Sequence, residues 1–504
     1  MSAPTQVPDR RILEAVNGVI LPGFFGTDLP QWLAEALDDG LAGVVYFGQN
    51  ISPDTARLSA AIRSRRPSAI IAADEEGGTV TRLEAEHGST LPGPAQLGQA
   101  GDMGLSTSVG AALAVRAAAA GINLVLGPVA DVNTNPANPV IGVRSFGAEP
   151  RGVAAHVAAA VRGIQASGAV AACAKHFPGH GDTHTDSHLA LPELRLATGE
   201  IEEIHFEPFR AAVSAGVRAV MTAHIRVPGW GDAPATLNPV ILGKLRAIGF
   251  SGVIVTDALD MAAIREGIGM GAGAVAAIRA GADLLCIGNP RTNPGNTDEA
   301  GADCQDYLVV RNALLAAVAS GELFLEQLEQ AAARVRTLAA DLEPSRDLAM
   351  TETAEPDWAA GAAPGIDVSG TVARSAGRLA LVDLRARATL AVAAESDAFR
   401  RAFASRRAVL ALLPVTAPQA WADNLRGLEP DADVIVLVDR IGVPGPQRDA
   451  LEEIAALRPD AVVVNVGVAP EPGFANRLDR IDARASSALS AGIVAGLVYG
   501  EASA

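Results

Sequence analysis

The 504-residue sequence predicts an α/β protein: a (β/α)8 TIM-type barrel followed by a second, smaller α/β sandwich domain. Three observations carry this. Short apolar runs rich in β-branched residues recur through the first part of the chain, each followed by a turn signal and an Ala-rich amphipathic stretch long enough for a helix. There are eight such runs, the number that closes a parallel barrel. Beyond a Pro-, Gly- and acid-rich interruption, a second series of apolar runs begins.

The eight runs are GVILPG near Val19, GVVYFG near Val45, AIIAAD ending at Asp74, INLVLGPVAD ending at Asp131, VAACAKH ending at His176, AVMTAH ending at His224, GVIVTD ending at Asp257 and ADLLCIG ending at Gly288. Five end in Asp or His. Barrel enzymes assemble their active sites at the C-terminal ends of the strands, whereas a purely structural barrel would end them in Gly, Asn, Ser or Thr. Helices near 306–319 and 324–340 continue the barrel domain, which the sequence places at 1–341. A linker is expected over 342–368 and a C-terminal α/β domain over 369–504, with strands at ATLAVAA, AVLALLP, DVIVLVD, AVVVNVGV and GIVAGLVYG in a mostly parallel sheet. Gly269, Gly271 and Ala274 match a dinucleotide-binding G-x-G-x-x-A, but the preceding MAAIREGI is helical in pattern, so that reading is set aside.

Composition narrows the function. With 57 acidic and 40 basic residues the net charge is −17, and no Lys/Arg run offers a face for phosphate backbones, so a nucleic-acid partner is excluded. No segment reaches the roughly 18 uncharged apolar residues of a membrane span. Asp9, Arg10, Arg11 and Glu14 stand where a signal peptide needs an apolar stretch, so the cytoplasm is the expected compartment. Cys173, Cys286 and Cys304 suit neither a disulfide framework nor a CxxC metal site, and the first two read as core.

Of eight histidines, His176, His180, His184 and His188 fall within KHFPGHGDTHTDSH, residues 175–188. Pro178, Gly179 and Gly181 break any continuous helix there, so the four-residue spacing does not make a zinc face. Lys175 is one of only two lysines, in a chain that otherwise uses Arg. At a strand end that choice points to a site needing a compact ammonium rather than a planar fork. Asp186 and His188 share one side of an extended chain, so the carboxylate can orient the imidazole as an acid/base working near neutral pH. Asp257 adds a carboxylate at the barrel mouth. A carboxylate nucleophile facing a proton donor fits retaining glycoside hydrolysis, and proton abstraction beside a carbonyl fits the same groups.

KHFPGHGDTHTDSH, together with ADEEGG at 73–78 and VTDALDM at 255–261, resembles glycoside hydrolase family 3 in its β-N-acetylglucosaminidase branch. The resemblance implies a retaining enzyme that releases terminal β-linked N-acetylglucosamine without metal or cofactor. By the same resemblance Asp257 is the nucleophile, His188 the acid/base and Asp186 its partner. Lys175, His176, Asp74, Arg82 and Arg144 take the sugar-holding positions. Glu75 and Thr79 depart from the family's usual Gln and Arg. A small carbohydrate is the implied partner. Because a histidine acid does not repel phosphate as a carboxylate would, inorganic phosphate is the alternative acceptor, giving a phosphorylase. The aglycone, tolerance for glucose and oligomeric state stay open. Asp260 is expected to be exposed on the next helix turn, His224 to line the barrel mouth or, the preferred alternative, to be a satisfied core histidine, and the second domain to shape or support the site.

Overall fold

The computed structural model describes residues 9–185, 191–292, 303–342, 355–374, 378–385, 397–406, 408–414, 425–428, 432–471 and 477–500. All eight apolar runs of the first part form strands: β1 Ile20–Pro22, β2 Gly43–Tyr46, β3 Ile70–Ala73, then, after the hairpin β4 Glu75–Gly77 and β5 Val80–Thr81, β6 Leu124–Val125, β7 Ala171–Phe177, β8 Ala219–Thr222, β9 Val253–Val255 and β10 Leu285–Gly288. Strands β2-β3-β6-β7-β8-β9 form one parallel ladder and β1 pairs in parallel with β10. A bridge from Val255 to Leu284 and the Ala42 N–H bond to Asn17 O (2.9 Å) join the two ladders, so the eight parallel strands close.

Side-chain alternation divides the strand residues between two cores. Ile70, Ala72, Ala171, Cys173, Val253, Val255 and Cys286 point into the barrel. Ile71, Ala73, Ala172, Ala174, Ile254 and Ile287 point outward to the surrounding helices. The parity carries on past the strand ends. Asp74 follows Ile70 and Ala72, Lys175 follows Ala171 and Cys173, and Asp257 follows Val253 and Val255, so all three side chains rise from the interior at the C-terminal mouth. Helices Cys304–Ser320 and Leu325–Asp341 lie where the sequence placed them. MAAIREGI contains the short helix Ala262–Arg265 and no strand, in keeping with its helical pattern, and Gly269 is the N-cap of the next helix, Met270–Ala280.

The second sheet contains β11 Asp367–Ser369, β12 Arg378–Asp383, β13 Ala408–Pro414, β14 Asp433–Val438, β15 Val462–Asn465 and β16 Asp479–Asp482, in the order β11-β16-β15-β14-β12-β13. It is parallel apart from β11, which runs antiparallel to β16. Helices cover both faces, Ala398–Ala404 and Ala488–Tyr499 on one and Pro446–Leu457 on the other. The predicted strand ATLAVAA lies outside the described residues. GIVAGLVYG is not a strand, as the sequence reading had it, but most of the helix Ala488–Tyr499. An apolar run of this length has no polar positions to reveal its period, and the choice follows from its surroundings. The Ser487 side chain caps Ser490 N–H, and Ala491, Val494, Ala495 and Val498 bury one helical face. Strands β11, β12 and β16 lie outside the five predicted runs.

Within 342–368, residues 358–362 form a short helix whose Trp358 is buried in the shell around the barrel, and β11 extends the second sheet. An indole too large to leave in water and an unpaired sheet edge account for order in so polar a stretch. The second sheet's unit contacts the rim around β4 and β5. Gln96 Nε2 donates to Ala483 O (3.0 Å) and Ser490 Oγ (2.9 Å), and Ser486 N–H donates to Thr79 Oγ1 (3.1 Å). No helix among the described residues is long and apolar enough to cross a membrane.

Candidate active site

A cavity of about 190 Å³ opens at the C-terminal mouth of the barrel. Asp74, Arg82, Arg144, Lys175, His176 and Asp257 all line it, so six of the eight predicted site residues converge although they come from five different strands, strand ends and turns. Asp186 and His188 lie outside the described residues. Asp182, Thr183 and His184 lead toward them, with His184 exposed and Thr183 buried.

Asp74, Arg82, Arg144 and Lys175 on the cavity wall form one charged cluster with the buried Glu76. Lys175 Nζ lies 2.7 Å from Asp74 Oδ1 and 2.7 Å from Glu76 Oε1, and only 2% of its side chain is exposed. The scarce lysine is therefore buried and bridging, not a surface residue. Arg82 Nη2 holds the other Asp74 oxygen at 2.9 Å, and Arg144 grips Glu76 bidentately through Nε (2.9 Å) and Nη2 (2.8 Å). Burial pushes both carboxyls upward, but Lys175 and the arginines outweigh it. Asp74 is held well below the usual carboxylate range and Glu76 at about 2. Lys175 and Arg144 are raised in return, burial being overcome by the two carboxylates. The cluster stays fully ionised at neutral pH and carries one net positive charge, three cations against two anions.

The hairpin β4–β5 aims Arg82. Glu75 Oε1 accepts the backbone N–H groups of Arg82 (2.5 Å) and Leu83 (2.6 Å), and Oε2 accepts Thr81 Oγ1 at 2.9 Å. Burial lifts the Glu75 carboxyl to about 7 despite these donors. Gly78, at φ +59°, permits the turn, and a Cβ there would sit 2.4 Å from Gly93 Cα. Glu75 thus serves the hairpin's backbone.

His176 reaches the cavity because the register of β7 against β8 shifts between Ala174 and Phe177, so Lys175 and His176 face the mouth while Phe177 returns to the outer core. Its Nδ1 lies 2.7 Å from Asp131 Oδ2. His180 is buried, with Nδ1 2.7 Å from Thr183 Oγ1, and burial lowers it to about 4. Asp257 is half-buried, lines the cavity, and its Oδ1 accepts Ala258 N–H at 2.8 Å. His224 is a satisfied core histidine, as expected. Its Nδ1 meets Thr236 Oγ1 at 2.9 Å, and its Nε2 meets Ala258 O at 2.8 Å, steadying the turn beside Asp257.

Asp260 is a correction: it is 3% exposed, not a surface carboxylate. Its oxygens receive the Thr292 hydroxyl and abut Gly288, whose missing side chain makes the room. Glu76, Asp131 and Asp260 were not assigned roles from sequence. The first shares strand parity with Asp74 and the second was visible as a run ending in Asp, but their partners are distant in sequence. Among the described residues no group of three His, Cys, Asp or Glu side chains is placed to hold a metal ion. Cys173 and Cys286 are buried free thiols, as the sequence suggested.

Residues 27–338 match the model of the glycosyl hydrolase family 3 N-terminal domain, which covers more than half of the chain and all but the first barrel strand. The chain belongs to glycosyl hydrolase family 3. It is 33% identical over 347 residues to β-hexosaminidase A of Pseudoalteromonas piscicida, a match covering 63% of this chain and 56% of that protein. It is 35% identical over 324 residues to a β-hexosaminidase of Neisseria meningitidis serogroup C, covering 60% of this chain and 88% of the relative. The solved family 3 β-N-acetylglucosaminidase of Paenibacillus sp. FPU-7 superimposes with a TM-score of 0.83 at 29% identity, over 97% of this chain and 96% of that one. The likeness to that structure extends beyond the family 3 barrel to the second sheet.

Proposed function

We propose that this protein is a retaining exo-acting β-N-acetylhexosaminidase that releases terminal β-linked N-acetylglucosamine from cell-wall-derived or related glycosides. The observation that carries the reading is that the VTDALDM carboxylate, Asp257, shares one cavity with all five sugar-holding positions of the family pattern. A positively charged polar wall opposite a half-buried carboxylate suits a neutral polyhydroxylated ring presenting its anomeric carbon to the carboxylate.

In the first step Asp257 attacks the anomeric carbon as the bond to the leaving oxygen breaks, and His188 gives that oxygen its proton. Asp186 orients His188 and stabilises its charged form. A covalent glycosyl ester on Asp257 results. In the second step His188 takes a proton from water, the water oxygen bonds to the anomeric carbon, and the ester C–O bond breaks to return the Asp257 carboxylate. Exo action on a terminal ring is part of the same reading. The reading places the enzyme in the cytoplasm, in recycling of peptidoglycan fragments, a placement checked by cell fractionation.

Purified protein is assayed with a chromogenic β-N-acetylglucosaminide, with and without inorganic phosphate, and the sugar product is identified. Free N-acetylglucosamine at the same rate in both is expected. A phosphate-accelerated reaction giving N-acetylglucosamine 1-phosphate would replace the hydrolase by a phosphorylase using the same nucleophile. Asp257→Asn should retain sugar binding and lose turnover by at least about 10³-fold, and unchanged turnover would remove Asp257 as nucleophile.

A further inference from the structure

Asp131 is fully buried at the end of the fourth apolar run, 45 residues from the histidine side chain it meets. Its two oxygens have different partners. Oδ1 accepts the His180 backbone N–H at 2.7 Å and the His176 backbone N–H at 3.3 Å, while Oδ2 lies 2.7 Å from His176 Nδ1. Burial alone would raise this carboxyl, but His176 and the backbone donors hold it below the usual carboxylate range. An ionised Oδ2 can only accept, so Nδ1 carries the proton. When the ring is neutral, Nε2 is left with a bare lone pair.

The imidazole lines the cavity, and the neighbouring groups make that lone pair consequential. Lys175, Arg82 and Arg144 donate and never accept. The two Asp74 oxygens already each take a cation, at 2.7 Å and 2.9 Å. A hydroxyl group entering beside these cations finds donors for its oxygen easily, while the acceptors for its own proton lining the cavity are the carboxylates and amide and the His176 imidazole. A buried hydroxyl whose proton has no acceptor loses much of its binding energy.

We propose that Asp131 is a positioning residue that holds His176 as its Nδ1–H tautomer, so that Nε2 accepts the proton of one substrate hydroxyl and the pair selects sugars bearing that hydroxyl. This rests on the carbohydrate reading above for the identity of the ligand, and on geometry alone for the tautomer. Asp131→Asn is the discriminating change. The amide oxygen can keep the two backbone N–H bonds made by Oδ1, but the amide nitrogen donates to Nδ1 and forces the proton onto Nε2. His176 then presents a donor where an acceptor is needed.

Side-chain nitrogen NMR of protein labelled with ¹⁵N-histidine reads the tautomer directly, with the His176 signals identified by their loss in His176→Asn. The unsubstituted protein should show Nδ1–H with an unprotonated Nε2 when the ring is neutral, and Asp131→Asn should show the reverse. With a 4-nitrophenyl N-acetyl-β-glucosaminide, kcat/KM of the variant should fall about 10- to 100-fold. That penalty should vanish for one of the corresponding 3-, 4- or 6-deoxy substrates. Nε2–H in the unsubstituted protein overturns the proposal, even if the variant fails to fold. So does a folded variant that keeps Nδ1–H, keeps full kcat/KM, or is equally impaired on every deoxy substrate. Absence of turnover by the unsubstituted protein would instead refute the proposed function, while the NMR experiment still decides the tautomer.

Discussion

Lys175→Met isolates the electrostatic core of the site. In the folded protein one ammonium lies 2.7 Å from both Asp74 and Glu76, with 2% of its side chain exposed. Methionine fills much the same volume but leaves two buried carboxylates facing each other, each retaining only its arginine. Removing one member of a buried ion network typically costs about 3–5 kcal/mol, because the remaining charges stay desolvated and uncompensated. At roughly 2 °C per kcal/mol for a large domain, the melting temperature should fall by about 6–10 °C.

The pH dependence sharpens the test. In the unsubstituted protein the folded-state pKa values of Asp74 and Glu76 are depressed, that of Glu76 to about 2, so their stabilisation is present above the ordinary carboxylate range and is lost only as pH falls through the depressed values. Without Lys175 one carboxyl of the pair is pushed upward. The variant should therefore regain part of its deficit as pH falls from 7 to 5 and that carboxyl protonates. The other lysine supplies the control. Lys244 pairs with Glu202 at 2.6 Å while 29% of its side chain is exposed, and it sits over Trp230 at 4.8 Å, so Lys244→Met should cost under about 1 kcal/mol. Denaturant melts of both variants followed by circular dichroism at pH 7 and pH 5 give the comparison. A Lys175→Met deficit no larger than that of Lys244→Met, or one that does not shrink on acidification, would refute the account of the cluster.

Two further outcomes follow from particular contacts. Because burial raises Glu75 to about 7, the folded state holds a proton there that the unfolded chain releases near its ordinary range, so stability drains away as pH rises from about 4.5 through 7. Glu75→Gln removes that component and should flatten the stability profile between pH 5 and 8, as urea melts at several pH values would show. Gly288 has φ +111°, and a Cβ there would lie 1.9 Å from Asp260 Oδ1, so Gly288→Ala should cost at least about 2 kcal/mol. The same change should lower turnover by shifting the Asp257–Asp260 turn, measured by melting temperature and by hydrolysis of the chromogenic substrate.

Much of this architecture was legible along the chain because it depends on local patterning. Each barrel strand is a short apolar run with its own turn signal, and period-two alternation carries Asp74, Lys175 and Asp257 to one end of the barrel on the interior side. The scarcity of lysine marked Lys175 in advance. What the sequence by itself could not determine is which groups meet. Asp131 finds His176 across 45 residues, Glu76 finds Arg144 across 68, and Lys175 finds Asp74 across 101. Those pairings depend on strand order, register and closure of the barrel, which bring separate strand ends within hydrogen-bonding distance. The register shift in β7 decides that His176 faces the cavity, and the absent side chain of Gly288 decides that Asp260 is buried. For GIVAGLVYG the uniformly apolar sequence suits strand and helix alike, and packing against the second sheet, with the Ser487 cap, settles it as a helix. Local chemistry is written in the run of residues, whereas partnership and burial are properties of the closed tertiary structure.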